Sequence, residues 1–290
     1  MPRRPGSPGS AVRDVVEYTR PTYVYEGGTR NIAAPGARPI ATTQLPIYSG
    51  FNLTILDLDG TSLQDRCVRL AQPNRPHGVA DFHEEADLRY CLMAALYHLN
   101  RLLDEYVGAC RLFDEIHPQL RPESKGGNTS NPRVSYEIDA LLGAARRIYE
   151  AIRKLIWKHY KRPSEVSRWR SFEKMLGSLD GREIDTVVQE ALKVSWATRG
   201  VQVKEYRDCI AHSDVLNDGG HTCWMNQVSG RWRMTFKLPA NPEARSHQRF
   251  DYDSGPDALT YCWQLVAHLV GLAVEVVALP KIADYIDRGP

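Results

Sequence analysis

Arg207, Asp208 and His212, in the stretch Val203-Lys204-Glu205-Tyr206-Arg207-Asp208-Cys209-Ile210-Ala211-His212-Ser213-Asp214, have types and spacing suited to phosphate chemistry. An arginine presents a planar fork of donors that fits two phosphate oxygens. A histidine titrates near neutral pH and can take up or release a proton. The stretch reads as helix, on which Asp208 and His212 lie one turn apart and share a face. Arg207 starts roughly 140° from His212 around the axis, a gap its long side chain can close. The Asp208 carboxylate would then orient the imidazole and favour its protonated form, beside a guanidinium. The same residue types also make an ordinary solvated charge cluster at a helix end, where a cation offsets the helix dipole. From residue types alone both readings stand.

The elements that must position this trio are mostly helical. Across residues 80–117, Phe82, Leu88, Cys91, Leu92, Ala95, Leu99, Leu102, Leu103, Tyr106 and Val107 recur at three- and four-residue steps, the mark of one long amphipathic helix. Residues 121–132 are a loop by composition. A second long helix is expected over 135–160, with Ile138, Leu141, Leu142, Ala145, Ile148, Ile152, Leu155 and Ile156 on its buried face. A short helix over 167–179 precedes a longer helical stretch from 184 to 212, with a break expected at Arg199-Gly200. The Leu216–Gly220 sequence then stops the helix, and a hairpin follows with strands near 221–227 and 231–238. Trp232, Met234, Phe236 and Leu238 alternate with Arg231, Arg233, Thr235 and Lys237 in its second strand. A very apolar helix over 256–287 closes the chain; Gln264, His268 and Glu275 interrupt it and Pro280 truncates it, which favours a core or dimer-interface helix over a membrane span. The fold class expected is mainly α: an up-and-down bundle of long helices, with a short N-terminal extended or β segment and a β-hairpin before the last helix.

The end of the second helix is basic and aromatic. Arg153, Lys154, Lys158, Lys161 and Arg162 stand among Trp157, His159 and Tyr160. Cations for phosphates and rings for bases are what a single-stranded nucleic acid requires. Cations at the negative pole of a helix dipole, with aromatics turned to the core, account for the same residues equally well. Arg231 and Arg233, on the polar face of the hairpin, extend the candidate RNA surface, or simply face solvent over a hairpin that covers the bundle.

A chain of 290 residues, 42% apolar and 25% charged, has the balance of an ordinary globular protein with a proper core. A net charge of +2 is too small to imply a polyanion partner by itself, so such a case must rest on local charge. The six cysteines are scattered with no Cys-x-x-Cys pair, which fits reduced thiols and a cytoplasmic location. Residues 1–41, rich in Pro, Gly, Ser and Arg, are expected to be a mobile tail; no apolar run follows Arg3 and Arg4 as a signal peptide would require. Residues 42–79 form an extended, strand-rich lead-in, and 80–290 the helical domain with the hairpin at about 221–239. Within the lead-in, Asp57-Leu58-Asp59-Gly60-Thr61 resembles the opening motif of haloacid-dehalogenase-like phosphatases, in which the first Asp attacks phosphorus and the second is the acid/base. Long helices downstream, in place of βαβ alternation, favour a plain Asp-Gly turn. Cys209, His212, His221 and Cys223 are a conceivable zinc set, but their spacing departs from common fingers, and a metal-bound His212 could not shuttle protons.

Arg207-Asp208-x-x-x-His212 also resembles the Arg-x(4–6)-His signature of the HEPN superfamily, in which a polar residue commonly follows the arginine. The similarity spans residues 80–290 in helical layout, with the motif as its residue-specific part. The resemblance implies a metal-independent endoribonuclease that needs no cofactor and acts as a homodimer, the motifs of two subunits facing each other. It implies His212 as general acid/base, Arg207 as the phosphate stabiliser and Asp208 as the residue orienting both. It further implies RNA as the partner, a toxin or antiviral-defence role, and in many members a nucleotidyltransferase-type antitoxin. The alternative within the family is a non-catalytic nucleic-acid-binding or dimerisation module.

Overall fold

The computed structural model describes residues 29–32, 41–44, 52–55, 83–116, 125–128, 131–212, 216, 223–228 and 231–288. Two long helices carry much of the core. Helix α1 (His83–Ile116) buries Leu88, Leu92, Ala95, Leu99, Leu102, Leu103 and Tyr106, the stripe its periodicity sets out. Helix α2 (Pro132–Tyr160) starts three residues before its expected first turn. Asn131 accepts a hydrogen bond from the Arg133 N–H, and Pro132 occupies a first-turn position where a missing N–H costs nothing. The two helices run antiparallel, as three cross-links show: Lys154 to Asp87 (3.0 Å), His98 to Glu137 (2.8 Å) and Asn131 to Glu105 (3.0 Å).

Helix α3 (Phe172–Leu176) is shorter than expected, because Ser171 caps it from Lys174 N and Gly177 ends it. The segment around it is held by Arg182, whose side chain is 2% exposed. Its guanidinium donates to Ser178 O (2.6 Å), Tyr160 O (2.6 Å) and Glu165 Oε1 (2.5 Å) and lies over the Trp169 ring at 4.6 Å. One of the last carbonyls of α2 is thereby satisfied from a residue far along the chain.

Helix α4 (Thr186–Ser195), capped by Asp185, does not break at Arg199-Gly200. It continues through one π-turn (Trp196–Gly200) into α5 (Val201–His212), and the Val201 N–H reaches back to Trp196 O. Glycine here does not end the helix. It makes room for the Trp196 indole, whose Cε3 would lie 2.2 Å from a Cβ at position 200.

The hairpin pairs β5 (Cys223–Val228) with β6 (Arg231–Phe236), registering Cys223 with Phe236 and Val228 with Arg231. A third strand, β4 (Lys125–Asn128), lies in the expected 121–132 loop; its Gly126-Gly127 pair reads as a loop, yet its backbone finds the open edge of β5, with an irregular register. Met234, Phe236 and Leu238 are buried, and β6 packs on α1. Asp257 joins these parts: its carboxylate accepts from Phe236 N, Tyr106 Oη, Thr260 N and Thr260 Oγ1, capping α6 (Ala258–Val277). Helix α6 packs on α1, α2 and α4. It is the one helix among the described residues long and apolar enough to cross a membrane, and it buries Leu259, Cys262, Leu265, Val266, Leu269, Val270 and Ala273 in the core. The expected single closing helix is two, with Pro280 opening α7 (Pro280–Arg288).

At the N-terminal side, β1 (Thr29–Ile32), β2 (Ala41–Gln44) and β3 (Asn52–Ile55) form an antiparallel sheet, with β1 inside the stretch expected to be a mobile tail. The antiparallel pairing of β3 departs from the parallel sheet a haloacid-dehalogenase-like fold requires. Asp57 and Asp59 lie outside the described residues.

Candidate functional site

Helix α5 presents the motif because of what its other face buries. Val203, Tyr206 and Cys209 recur every three residues and are fully enclosed. The Tyr206 hydroxyl donates to Pro239 O at 2.7 Å, and its ring meets Tyr261 edge-on at 5.4 Å. With that face fixed, Arg207, Ala211 and His212 are exposed and Asp208 is half-buried. Arg207 Nη1 donates to Asp208 Oδ1 at 3.2 Å. This ion pair joins side chains 49% and 23% exposed, so it orients the guanidinium more than it stabilises the fold. His212 ends α5, and it has no hydrogen-bond or ion-pair partner among the described residues. Ala211, one turn from Arg207, is exposed on the same side of the helix. Lys204, one turn before Asp208, adds a cation to the same stripe and meets Glu173 at 3.7 Å.

The expected RNA-binding cations are distributed differently. Arg153 is turned inward, bonded to Glu150 (2.7 Å) and to Trp169 O. Lys154 pairs with Asp87, and Lys158 donates to Tyr285 Oη (3.1 Å) while stacking on its ring at 4.3 Å. Arg162 donates to Asp180 O at 2.7 Å, and Lys161 is exposed. The aromatics among them, Trp157 and Trp169, pack edge-to-face at 4.9 Å in the core. Arg231 and Arg233 stand in β6, with side chains outside the described ones. Of the conceivable zinc set, Cys209 and Cys223 are buried, burial pushing the Cys223 thiol up to about 12, and His221 lies outside the described residues. Among the described residues, no group of three or more His, Cys, Asp or Glu side chains is arranged to hold a metal ion.

A second polar cluster escaped the sequence reading. Ser195, fully buried at the end of α4, lies 2.8 Å from His268 Nε2 and 3.0 Å from the Tyr149 hydroxyl. Its sequence signal is the pair of polar interruptions, Gln264 and His268, one turn apart in an otherwise apolar helix. Burial, and then the Arg199 cation, lower the His268 pKa below its ordinary value.

Compared with known proteins, the chain matches no family model, no curated protein and no solved structure.

Proposed function

We propose that the protein is a metal-independent endoribonuclease of HEPN type, working as a homodimer in a toxin or antiviral-defence role. The observation that carries this reading is that Arg207 and His212 both reach solvent from one helix, whose rotation Val203, Tyr206 and Cys209 fix, with Asp208 bonded to the arginine. The reading is supported more coarsely by a mainly helical core, in which the antiparallel α1–α2 pair, α4 and α6 pack on one another.

In the proposed reaction a neutral His212 takes the proton of a ribose 2′-hydroxyl. The 2′-oxygen attacks the adjacent phosphorus, the bond to the 5′-oxygen breaks, and a protonated imidazole returns a proton to that leaving oxygen. The products are a 2′,3′-cyclic phosphate and a 5′-hydroxyl. The nucleophile belongs to the substrate, so the protein supplies only proton transfer and charge stabilisation. Arg207 holds the non-bridging oxygens as their charge grows. Its offset from His212 around the helix favours a cleft in which a second copy supplies the complementary pair.

A non-catalytic RNA-binding or dimerisation module is the second reading; the pairing of Arg153, Lys154 and Lys158 within the chain leaves a smaller cationic surface and favours its dimerisation form. Incubating purified protein with mixed RNA and EDTA, beside His212→Ala, separates the two: cleavage confined to the wild type supports the nuclease, and binding without cleavage supports the module.

A further inference from the structure

The polar side chains around the π-turn come from three helices. Tyr261, Gln264 and His268 form one stripe of α6 at successive turns. Arg146 and Tyr149 are one turn apart on α2, and Ser195 and Arg199 flank Trp196 on the α4–α5 rod. Tyr149 and Ser195 are hydrogen-bonded, and Ser195 bonds His268. Arg146 lies over the Trp196 ring at 5.0 Å, while Tyr149 meets that ring edge-on at 5.2 Å. Arg199 Nη2 approaches the neutral Gln264 Oε1 at 3.5 Å.

Charge in this cluster is unbalanced. Among the described residues, the Glu150 carboxylate is shared between Arg146 (3.0 Å) and Arg153 (2.7 Å), and Arg199 meets the Gln264 amide and no carboxylate. Two polar atoms here are sealed from solvent without a hydrogen-bond partner: Arg146 Nη1 and the hydroxyl of Tyr261, a residue 3% exposed. Buried donors are nearly always satisfied, and an orphan guanidinium or phenol hydrogen destabilises the fold. Burial raises Tyr149 and Tyr261, and the Arg199 cation acts against that rise at both. The guanidinium is therefore within electrostatic reach of both phenols. The π-turn itself is a rare form of helix that occurs frequently at functional sites.

We propose that this cluster, distinct from the Arg207–His212 motif, binds a phosphoryl group, with Arg199 and Arg146 as its cations and the Tyr261 hydroxyl as a neutral donor. An oxyanion supplies the acceptors these groups lack and the negative charge that three guanidiniums against one carboxylate call for. The group is either free phosphate or the phosphate end of a nucleotide.

The test is isothermal titration of the full chain carrying Arg207→Ala and His212→Ala, which removes the motif as a competing anion site. Inorganic phosphate, ADP and adenosine are the titrants. Phosphate or ADP is expected to bind, with affinity falling at least tenfold on adding Arg199→Gln and roughly threefold to tenfold on adding Tyr261→Phe. Adenosine is expected to give no heat. ADP binding at least tenfold tighter than phosphate assigns a nucleotide; comparable affinities assign the free anion. No heat from either anion in this background overturns the proposal, as does binding that Arg199→Gln leaves unchanged. Should Arg199→Gln not fold, Tyr261→Phe, which removes a single oxygen, decides in the same way.

Discussion

The indole of Trp196 lies directly against Gly200, so close that a Cβ on the glycine would meet ring atoms at 2.2–2.9 Å. The ring cannot yield easily, because Tyr149 and Phe172 pack on it from inside, with centroids at 5.2 and 5.1 Å, and Arg146 covers it. This contact lets α4 run into α5 as one rod and so sets where the motif-bearing face points. Gly200→Ala is expected to destabilise the protein by about 1–3 kcal/mol, the usual cost of overpacking a filled core. Urea denaturation reads it; an unchanged midpoint would mean that the indole has another place to go.

Arg182 tests the support of α2 in the same way. Its guanidinium, itself buried, meets three acceptors, of which the Glu165 carboxylate is partly exposed. Arg182→Ala leaves the Tyr160 and Ser178 carbonyls without that donor and is expected to cost about 1–3 kcal/mol. Arg182→Lys is expected to recover only a part, since an ammonium cannot reproduce the fork. Thermal denaturation of the two variants checks both statements.

The pH dependence of stability follows from two half-buried groups. His268 has its folded pKa lowered beneath the ordinary 6.5, by burial first and Arg199 second. As pH falls through 6.5 the unfolded chain takes up the proton first, so stability drops on acidification. His268→Gln is expected to lose that portion of the slope between pH 7.5 and 5.5. Asp139 acts in the opposite sense: burial raises its carboxyl from 3.8 to about 6, so its charged form is penalised in the fold at neutral pH. Asp139→Asn is expected to gain stability over the wild type above pH 6, and the gain to vanish near pH 4. Denaturation series across pH, variant against wild type, decide both; parallel curves would contradict them.

The helices were legible because burial and periodicity coincide: Leu88 to Tyr106 and Ile138 to Ile156 are core residues at helical steps, and both are buried as their spacing requires. The π-turn was not, since a glycine after an arginine carries the same local signal whether it breaks a helix or admits a ring from its own preceding turn. Strand β4 was hidden because Lys-Gly-Gly-Asn has no side-chain pattern of its own and is strand only through the edge of β5. Of the candidate site, the motif and its helix could be read, whereas the exposure of Arg207 and His212 follows from the burial of Val203, Tyr206 and Cys209 in the fold. The inward turn of Arg153 and Lys158 could not, because their acceptors, Trp169 O and Tyr285 Oη, come from elsewhere in the chain.

The most direct measurement is RNA cleavage in EDTA by wild type, Arg207→Ala and His212→Ala at matched stability, with the 3′ ends of the products identified. The wild type is expected to leave 2′,3′-cyclic phosphate ends. Loss of the imidazole is expected to slow cleavage by about 10²–10⁴-fold, and loss of the guanidinium by about 10²–10³-fold. Cleavage that persists in His212→Ala, or that stops when EDTA is added to the wild type, contradicts the account.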